Sequence, residues 1–354
     1  MIDLIFRHLV ESTLVCIFVG SLTYVLPRQS AAVRHSIWLI SILKFFIPTL
    51  LLSATGASIA VILPATAWLS SFAPKFSALL TRLFVTWPFH VALGTGKVTF
   101  YLITIWLLGS AITCANWIRR LRAHYRGLSE PSIVERAALI RAKQRLGFRT
   151  YVGLRCSNPS QEPTLLGLFR PIITIPRGLS EEMPPAELEA LLLHELAHAR
   201  RLDNLAGAFA HALVCIFWFH PVLWLVERKL IAERERACDE IVIRCTTNPE
   251  IYVAGLVKLC KFHLFGDVAG VSASTGSDLA ARFEHIVSLA PTQAVPKIIV
   301  AVVAGLLLSA TVLPIASGYC EQCVSHGQPA KKEIRKERQR DFRARHFFSN
   351  NNEQ

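Results

Sequence analysis

His194-Glu195-Leu196-Ala197-His198 is the stretch that decides the architecture of this chain. Residues four apart on a helix stack above one another, so the two imidazoles point to one place and Glu195 lies beside them. This spacing is typical of helices that bind a zinc ion and hold a carboxylate next to its water. We predict His194 and His198 as zinc ligands and Glu195 as a general base. The alternative is a buried helix whose histidines only satisfy hydrogen bonds.

The residues around this stretch predict a helix for independent reasons. Pro184 and Pro185 suit a first helical turn, and Glu187 adds negative charge at the N-terminal end. Arg200 and Arg201 add positive charge at the C-terminal end, where the helix dipole favours it. The zinc motif is therefore expected on the face of a regular helix.

A catalytic zinc ion takes three protein ligands and leaves a fourth position to water, so one more ligand is needed. The segment Glu233–Asp239 offers Glu235 as that ligand and Asp239, one helical turn later, as an acceptor for the ring N–H of a ligating histidine. Asp203 is a second candidate for such an accepting role, or else it only caps a turn. The competing interpretation of Glu233–Asp239 is a solvated helix with surface salt bridges.

Two further features are candidates for a part in the reaction. His220 could stabilise an oxyanion, although a histidine beside a proline in an apolar helix is more often structural. Residues 164–175 predict a short hairpin. Its first strand, with Thr164, Leu165 and Leu166, could hold an extended substrate by backbone hydrogen bonds or could simply cover the core.

Composition predicts a membrane protein. The chain has 354 residues, of which 52% are hydrophobic and 18% charged, and its mean hydropathy is +0.41. Four apolar runs approach the length of a membrane span: Ile5–Leu26, Ile37–Leu52, Val98–Trp117 and Ile298–Ala316. The apolar stretches Gly56–Ala73 and Leu205–Val226 are left outside this count. We expect the second to be a helix buried between the catalytic domain and the bilayer.

Positive charge near the span ends predicts the orientation. Arg119 and Arg120 directly follow the third run, and Arg28 and Arg34 lie between the first two, so these loops are expected in the cytoplasm. The fold class predicted is a mainly α membrane protein of about four transmembrane helices with a cytoplasm-facing, gluzincin-like zinc peptidase domain that contains a small β-element. The expected domains are three spans in 1–118, the zinc domain in 119–295, a last span in 296–317 and a basic tail in 318–354.

The net charge of +13 is explained by lipid more simply than by nucleic acid, because much of the excess flanks apolar runs or lies in the tail. We therefore expect the lipid bilayer as a partner and no direct nucleic acid binding. The nine cysteines are mostly scattered. Cys320 and Cys323 form a close pair that could make a local disulfide outside the membrane.

The chain resembles the integral-membrane zinc peptidases that act as β-lactam sensor-transducers and antirepressors in bacteria. The motifs in common are residues 194–204, Phe219-His220-Pro221 with Trp224, and Glu233–Asp239, about 45 residues in fixed order. The resemblance implies His194, His198 and Glu235 as ligands of one Zn²⁺, Glu195 as general base and Asp239 as a hydrogen-bonding partner of the ligands. It also implies a location in the bacterial inner membrane.

The resemblance further implies a protein substrate, a cytoplasmic transcriptional repressor, in a pathway that regulates antibiotic resistance. Full-length sensors of this kind continue into a penicillin-binding domain, for which residues 318–354 are too few, so a separate sensor partner is expected to supply the stimulus. Two alternatives stay open. One is a housekeeping protease that clears damaged membrane proteins, and the other is a signalling scaffold that keeps a zinc site without catalysis.

Overall fold

The computed structural model describes residues 2–25, 29–46, 96–246 and 248–265, together with Arg282 and Ile286. Of these, residues 2–15 and 44–46 belong to one compact unit and the others to a second. The described chain is mainly helical and contains one small sheet, as expected from the sequence. The second unit contains the zinc motif, the sheet and the helices that pack around them.

Among the described residues, three helices precede the domain that carries the zinc motif. They are α1 (Ile2–Val25), α2 (Ala31–Phe46) and α3 (Gly96–His124). Helices α1 and α2 each have residues in both units, whereas α3 belongs to the second unit. Helix α4 (Ile133–Leu146) then begins with a capping box, in which Ser132 and Glu135 each accept a hydrogen bond from the other's backbone N–H. Gly147 ends α4 in the left-handed conformation, at φ 66°, where a side chain would be strained.

The sheet has the strand order β1-β3-β2. Strand β1 (Gly153–Ser157) pairs parallel to β3 (Ile172–Pro176), and β2 (Thr164–Leu166) pairs antiparallel to β3. The predicted hairpin is confirmed, since β2 and β3 are its two strands. Strand β2 lies at an edge of the sheet, as the substrate-strand hypothesis requires.

The other described helices follow the sheet: α5 (Leu179–Glu182), α6 (Pro185–Arg201), α7 (Asp203–Ile216), α8 (Pro221–Cys245) and α9 (Pro249–Phe265). Helix α6 carries the zinc motif and is the centre of the core. Its residues Leu188, Leu192 and Leu196 are at most 2% exposed and pack in one cluster with Ala138 of α4 and Ile173 of β3. As predicted, a proline at the first helical position begins α6 and basic residues end it.

Helices α6 and α7 join at a sharp turn. Leu202, the one residue between them, is left-handed at φ 57°, although it is not glycine. Because no further residue separates the helices, Asp203 begins α7 within reach of the last turn of α6. The turn therefore brings a carboxylate back to the zinc motif.

The predicted single helix over Leu205–Val226 is wrong. Helix α7 ends at Ile216 and α8 begins at Pro221, with His220 as its N-cap. Proline has no N–H for the ladder and disfavours helical backbone at the residue before it, so the chain breaks and turns here. This turn lets α8 pack beside α6.

One helix among the described residues, α3, is long and apolar enough to cross a membrane, and none of its residues is buried. The predicted count of four spans is thus not confirmed. Helix α1 covers residues 5–25 of the predicted span Ile5–Leu26, and α2 covers residues 37–46 of the predicted span Ile37–Leu52 but begins six residues before it, at Ala31. The stretch Gly56–Ala73, the predicted span Ile298–Ala316 and the tail with Cys320 and Cys323 lie outside the described residues, as does Arg28.

Arg34 was predicted in a loop between two spans, and the structure places it in α2 instead. Its Nε donates to Glu233 Oε2 of α8 at 2.8 Å, and both side chains are buried. Seven residues after Glu233, on the same face of α8, Glu240 accepts the backbone N–H of Ala31 at 2.8 Å. Two carboxylates of α8 therefore fasten the beginning of α2.

Candidate metal site

His194, His198 and Glu235 meet at one point. Helix α6 supplies the two imidazoles and α8 supplies the carboxylate. The three atoms that face one another are His194 Nε2, His198 Nε2 and Glu235 Oε2, with separations of 3.1 Å between the imidazoles and 3.3 and 3.6 Å from them to the carboxylate. Ligands at zinc distances on a tetrahedron lie about 3.3 Å apart. The triangle therefore has the size that a tetrahedral zinc ion requires.

Glu195 is buried next to His194 on the same helix, with 8% of its surface exposed. It precedes His198 by three residues, a spacing at which helical side chains are neighbours. This placement agrees with the predicted arrangement of the motif. Its role as general base is a proposal.

His198 is held from behind by Asp203. Asp203 Oδ2 lies 2.8 Å from His198 Nδ1. Arg201 Nε donates to both oxygens of the same carboxylate, each at 3.2 Å. A carboxylate on Nδ1 keeps that nitrogen protonated and leaves the lone pair of Nε2 for a metal. The structure thus places Asp203 where it can accept the hydrogen bond from His198 Nδ1–H, as predicted.

His194 is held in the same manner by a larger group. Its Nδ1 lies 3.1 Å from Asp239 Oδ1 and 2.9 Å from the hydroxyl of Tyr252, which itself donates to Asp239. Arg282 donates Nε and Nη2 to the two oxygens of Asp239 at 3.0 and 2.7 Å and reaches the Tyr252 hydroxyl at 3.0 Å. Asp239 and Tyr252 are fully buried. This network fixes the ring of His194 from several directions.

Arg234 orients the third candidate ligand. Its Nε and Nη2 donate to Glu235 Oε1 at 3.1 and 2.9 Å, so Oε2 is the oxygen that faces the imidazoles. A guanidinium fork on one carboxylate oxygen restricts the rotation of the carboxylate. Glu235 is therefore set up to bind a metal through a single oxygen.

The pKa directions follow from this crowding of acids and imidazoles. Burial by itself would lower the pKa of His194, but Asp239 and Glu235 outweigh it and raise that pKa above its ordinary value. The pKa of His198 is likewise raised, against burial, by Cys238, Glu235 and Asp203. Burial would raise the pKa of Glu235, yet His198 and His194 hold it well below its usual range. Glu235 is therefore ionised, and a metal cation would take the place of the protons that the two rings hold.

A second set of candidate ligands, His198, Asp203 and Cys238, lies on the other side of the same ring. Burial raises the pKa of the Cys238 thiol to about 11, so the thiolate that a metal needs is scarce at neutral pH. The thiol instead lies 3.4 Å from Asp203 Oδ2 as a hydrogen-bond donor. The chemistry of the donors thus favours the triangle of His194, His198 and Glu235.

The structure does not bring His220 to the triangle. It is the N-cap of α8, fifteen residues before Glu235 on an unbroken helix, which is about 22 Å along the axis. His220 is thus placed at the junction of α7 and α8, away from the triangle at which its predicted role in the reaction would be needed.

The edge strand β2, the candidate for substrate binding, already receives hydrogen bonds from a side chain of the protein. The side-chain amide of Asn204 donates to Leu165 O at 2.9 Å and to Gly167 O at 2.8 Å. Leu165 and Leu166 are buried, whereas Thr164 is half-buried. Asn204 follows Asp203 directly, so the same turn that holds His198 also holds β2.

Sequence reasoning missed three residues of this site, Arg234, Tyr252 and Arg282. Arg234 lies within Glu233–Asp239, but no role at the site was predicted for it from the sequence. Tyr252 is separated from its partner His194 by 58 positions, and Arg282 is 43 positions from Asp239. Nothing in the local pattern around either residue indicates a metal site.

The chain matches the family described as BlaR1 peptidase M56 over residues 4–286. Apart from the first two residues of α1, the match includes every described helix and strand and all the residues of the candidate metal site. The chain therefore belongs to the M56 peptidases, a metal-dependent family, which confirms the family resemblance stated above.

Individual relatives are more distant. The chain is 24% identical to the methicillin resistance mecR1 protein of Staphylococcus aureus over 160 residues, 44% of this chain and 27% of that protein. It is 28% identical to the regulatory protein BlaR1 of Bacillus licheniformis over 144 residues, 41% of this chain and 24% of that protein. The aligned part thus spans about a quarter of the length of these relatives.

Proposed function

We propose that this chain is a zinc-dependent endopeptidase of the bacterial inner membrane that cleaves a cytoplasmic regulatory protein. The observation that carries the proposal is the triangle of His194 Nε2, His198 Nε2 and Glu235 Oε2, with a buried acid behind each imidazole. Membership in the M56 peptidases supports a hydrolytic use of this site.

His194, His198 and Glu235 would hold one zinc ion. When bound, the ion acts as a Lewis acid on the scissile carbonyl and brings the pKa of its bound water towards ~7. Glu195 takes the proton from the attacking water and later delivers it to the leaving amine. Asp203 and Asp239 keep the ring Nδ1 atoms protonated, so the imidazoles present Nε2 throughout.

The edge strand β2 is the proposed place for the substrate. An extended peptide can add to a free strand edge by backbone hydrogen bonds. The Asn204 amide already binds two carbonyls of this segment, so the peptide would use the other backbone groups. This arrangement would favour an unfolded stretch of a protein as the substrate.

The biological role is proposed from the relatives. Their names refer to methicillin resistance and to regulation, which suggests a signalling protease that acts on a transcriptional repressor. We place the catalytic domain on the cytoplasmic side of a multi-pass protein, since Arg119 and Arg120 follow the apolar part of α3. A separate sensor protein would supply the stimulus. The other proposed partners are the zinc ion and the lipid bilayer.

Comparative proteomics of cells with the wild type and with Glu195→Gln tests this function. We expect protein fragments, including those of one cytoplasmic regulator, only in cells that contain Glu195. The purified variant should retain bound zinc, because Glu195 is not a ligand. A matched control is Glu181→Gln, which alters a glutamate of the short helix α5 and should leave the fragments unchanged.

The outcomes separate the candidate functions. Fragments from many damaged membrane proteins would favour a housekeeping protease. A Glu195→Gln strain with the phenotype and fragments of the wild type would overturn proteolysis and favour a scaffold. Wild-type protein purified without a bound transition metal would contradict the site itself.

A further inference from the structure

A cavity of about 180 Å³ lies between α2, α3, α7 and α8, behind the metal site. This volume is several times what one water molecule needs. Its wall is mostly apolar, but it includes four polar side chains: His35, His211, Glu227 and Arg234. A cavity with apolar walls and a few convergent polar groups is typical of a site for a small ligand.

Arg234 connects this cavity to the metal site. Two of its guanidinium nitrogens donate to Glu235 Oε1, as described above. The other nitrogen, Nη1, lies towards Gly207 in the cavity wall, where an added Cβ would be 3.7 Å from it. A ligand in the cavity would therefore meet a permanently charged donor that also orients a metal ligand.

The one acid of the cavity wall is engaged. Glu227 Oε1 lies 2.5 Å from His211 Nδ1, so one oxygen of this carboxylate is already hydrogen-bonded within the wall. The donor that a ligand would meet is Nη1 of Arg234, since the other two guanidinium nitrogens bind Glu235, and the imidazole of His35 lies in the same cavity wall. These N–H donors suit a ligand with several acceptor oxygens.

The apolar part of the cavity points to an amphiphile. Trp117 lines it and packs against His211, with ring centroids 5.0 Å apart. Trp117 belongs to α3, the helix long enough to cross a membrane, and Arg119 and Arg120 follow it closely. Tryptophan next to arginine is typical of the level of lipid headgroups. The cavity is therefore expected where phosphate oxygens and the first methylenes of lipid chains are available.

We propose that this cavity binds the phosphate of an anionic phospholipid headgroup, with phosphate oxygens on Arg234 and His35 and the apolar stem along the wall that contains Trp117. This inference does not depend on peptidase activity. Bound phosphate would share Arg234 with Glu235, so lipid at this site would also alter how firmly that carboxylate is held.

The test uses the full chain in dodecyl maltoside micelles, with phosphatidylglycerol added as the probe. At saturation we expect the lipid to raise the Tm by about 5 °C, as ligand binding to the folded state does. Gly207→Leu fills the cavity without altering a charged group, and it should abolish the rise. Gly207→Ala, whose methyl group fits at ordinary contact distance, is the matched control and should keep it. Ala206→Leu, also in the cavity wall, is the second filling variant if Gly207→Leu fails to fold.

Two further additions identify the ligand. Inorganic phosphate alone, without lipid, should give less than a third of the rise, and phosphatidylcholine should give less than half. An equal rise with inorganic phosphate would overturn the lipid and leave a site for free phosphate. An equal rise with phosphatidylcholine, the absence of any rise, or a full rise in a folded filling variant would each overturn the proposal.

Discussion

Arg34 of α2 and Glu233 of α8 form a buried ion pair, with Nε and Oε2 2.8 Å apart and side chains 10% and 8% exposed. Glu233 lies two residues before Glu235, so the pair joins the second helix of the chain to the helix that supplies the third candidate ligand. Any displacement of α2 would act on α8 through this contact. The pair is thus a mechanical connection between an N-terminal helix and the metal site.

We expect Arg34→Ala to lower the free energy of unfolding by about 2 kcal/mol, because the buried Glu233 carboxylate loses one of its two guanidinium partners and keeps only Arg236. Thermal and denaturant unfolding in detergent measure the loss. The matched control is Arg136→Ala, which breaks the exposed pair with Glu130, and it should cost less than ~1 kcal/mol.

Charge reversal sharpens this prediction. Arg34→Glu combined with Glu233→Arg should recover part of the stability that each single change removes, since the pair is restored with opposite polarity. Purely additive losses in the double variant would show that the two side chains are not coupled.

Tyr252 supports the metal site through its hydroxyl. We expect Tyr252→Phe to lower the zinc affinity roughly 10-fold, because the hydroxyl lies between His194 Nδ1 and Asp239 and fixes both. Titration with zinc against a competing chelator measures the affinity. Tyr151→Phe, at a position 78% exposed, should leave it unchanged. An affinity equal to the wild type in Tyr252→Phe would mean that Asp239 and Arg282 hold the ring alone.

Zinc affinity should fall as the pH is lowered, starting above the ordinary histidine pKa of 6.5. In the metal-free site the pKa of both His194 and His198 is raised, so these rings keep their protons at a pH where a free imidazole is neutral. Zinc binds the neutral ring and must displace those protons. Chelator competition across the neutral range measures this, and an affinity independent of pH would contradict it.

The same shifts predict the stability of the metal-free protein. A raised histidine pKa contributes stability that is present in full below 6.5 and is lost as the pH rises through the folded-state pKa. We therefore expect the metal-free form to lose stability on the alkaline side of neutrality, whereas the zinc-loaded form should not. Unfolding midpoints of both forms against pH test the sign.

Leu202 holds a left-handed conformation that costs a residue with a Cβ about 1 kcal/mol. Its side chain is 60% exposed, so little packing is lost on its removal. Leu202→Gly should therefore raise the free energy of unfolding by about 0.5–1 kcal/mol with zinc binding intact. The control Leu205→Gly, in regular helix three residues later, should lower it by about 1 kcal/mol. A lower free energy of unfolding in Leu202→Gly would show that the Leu202 side chain makes stabilising contacts at the turn.

The amino-acid sequence alone determined the features that depend on local spacing. The helix of His194 and His198, the acid one turn after Glu235 and the hairpin of β2 and β3 follow from helical and strand periodicity and from proline at defined places. The family could be inferred for the same reason, since its motifs are short and fixed in order.

Tertiary structure decided what depends on residues distant in the chain. The sharp turn at Leu202 returns Asp203 to His198, and the break before Pro221 turns α8 back beside α6, so that Glu235 reaches the two imidazoles. Tyr252 and Arg282 join Asp239 only because helices pack, and Arg34 leaves its predicted loop to pair with Glu233. A hydrogen bond or an ion pair between distant positions leaves no periodic pattern in the sequence, and its partners become definite only when the elements that carry them are in contact.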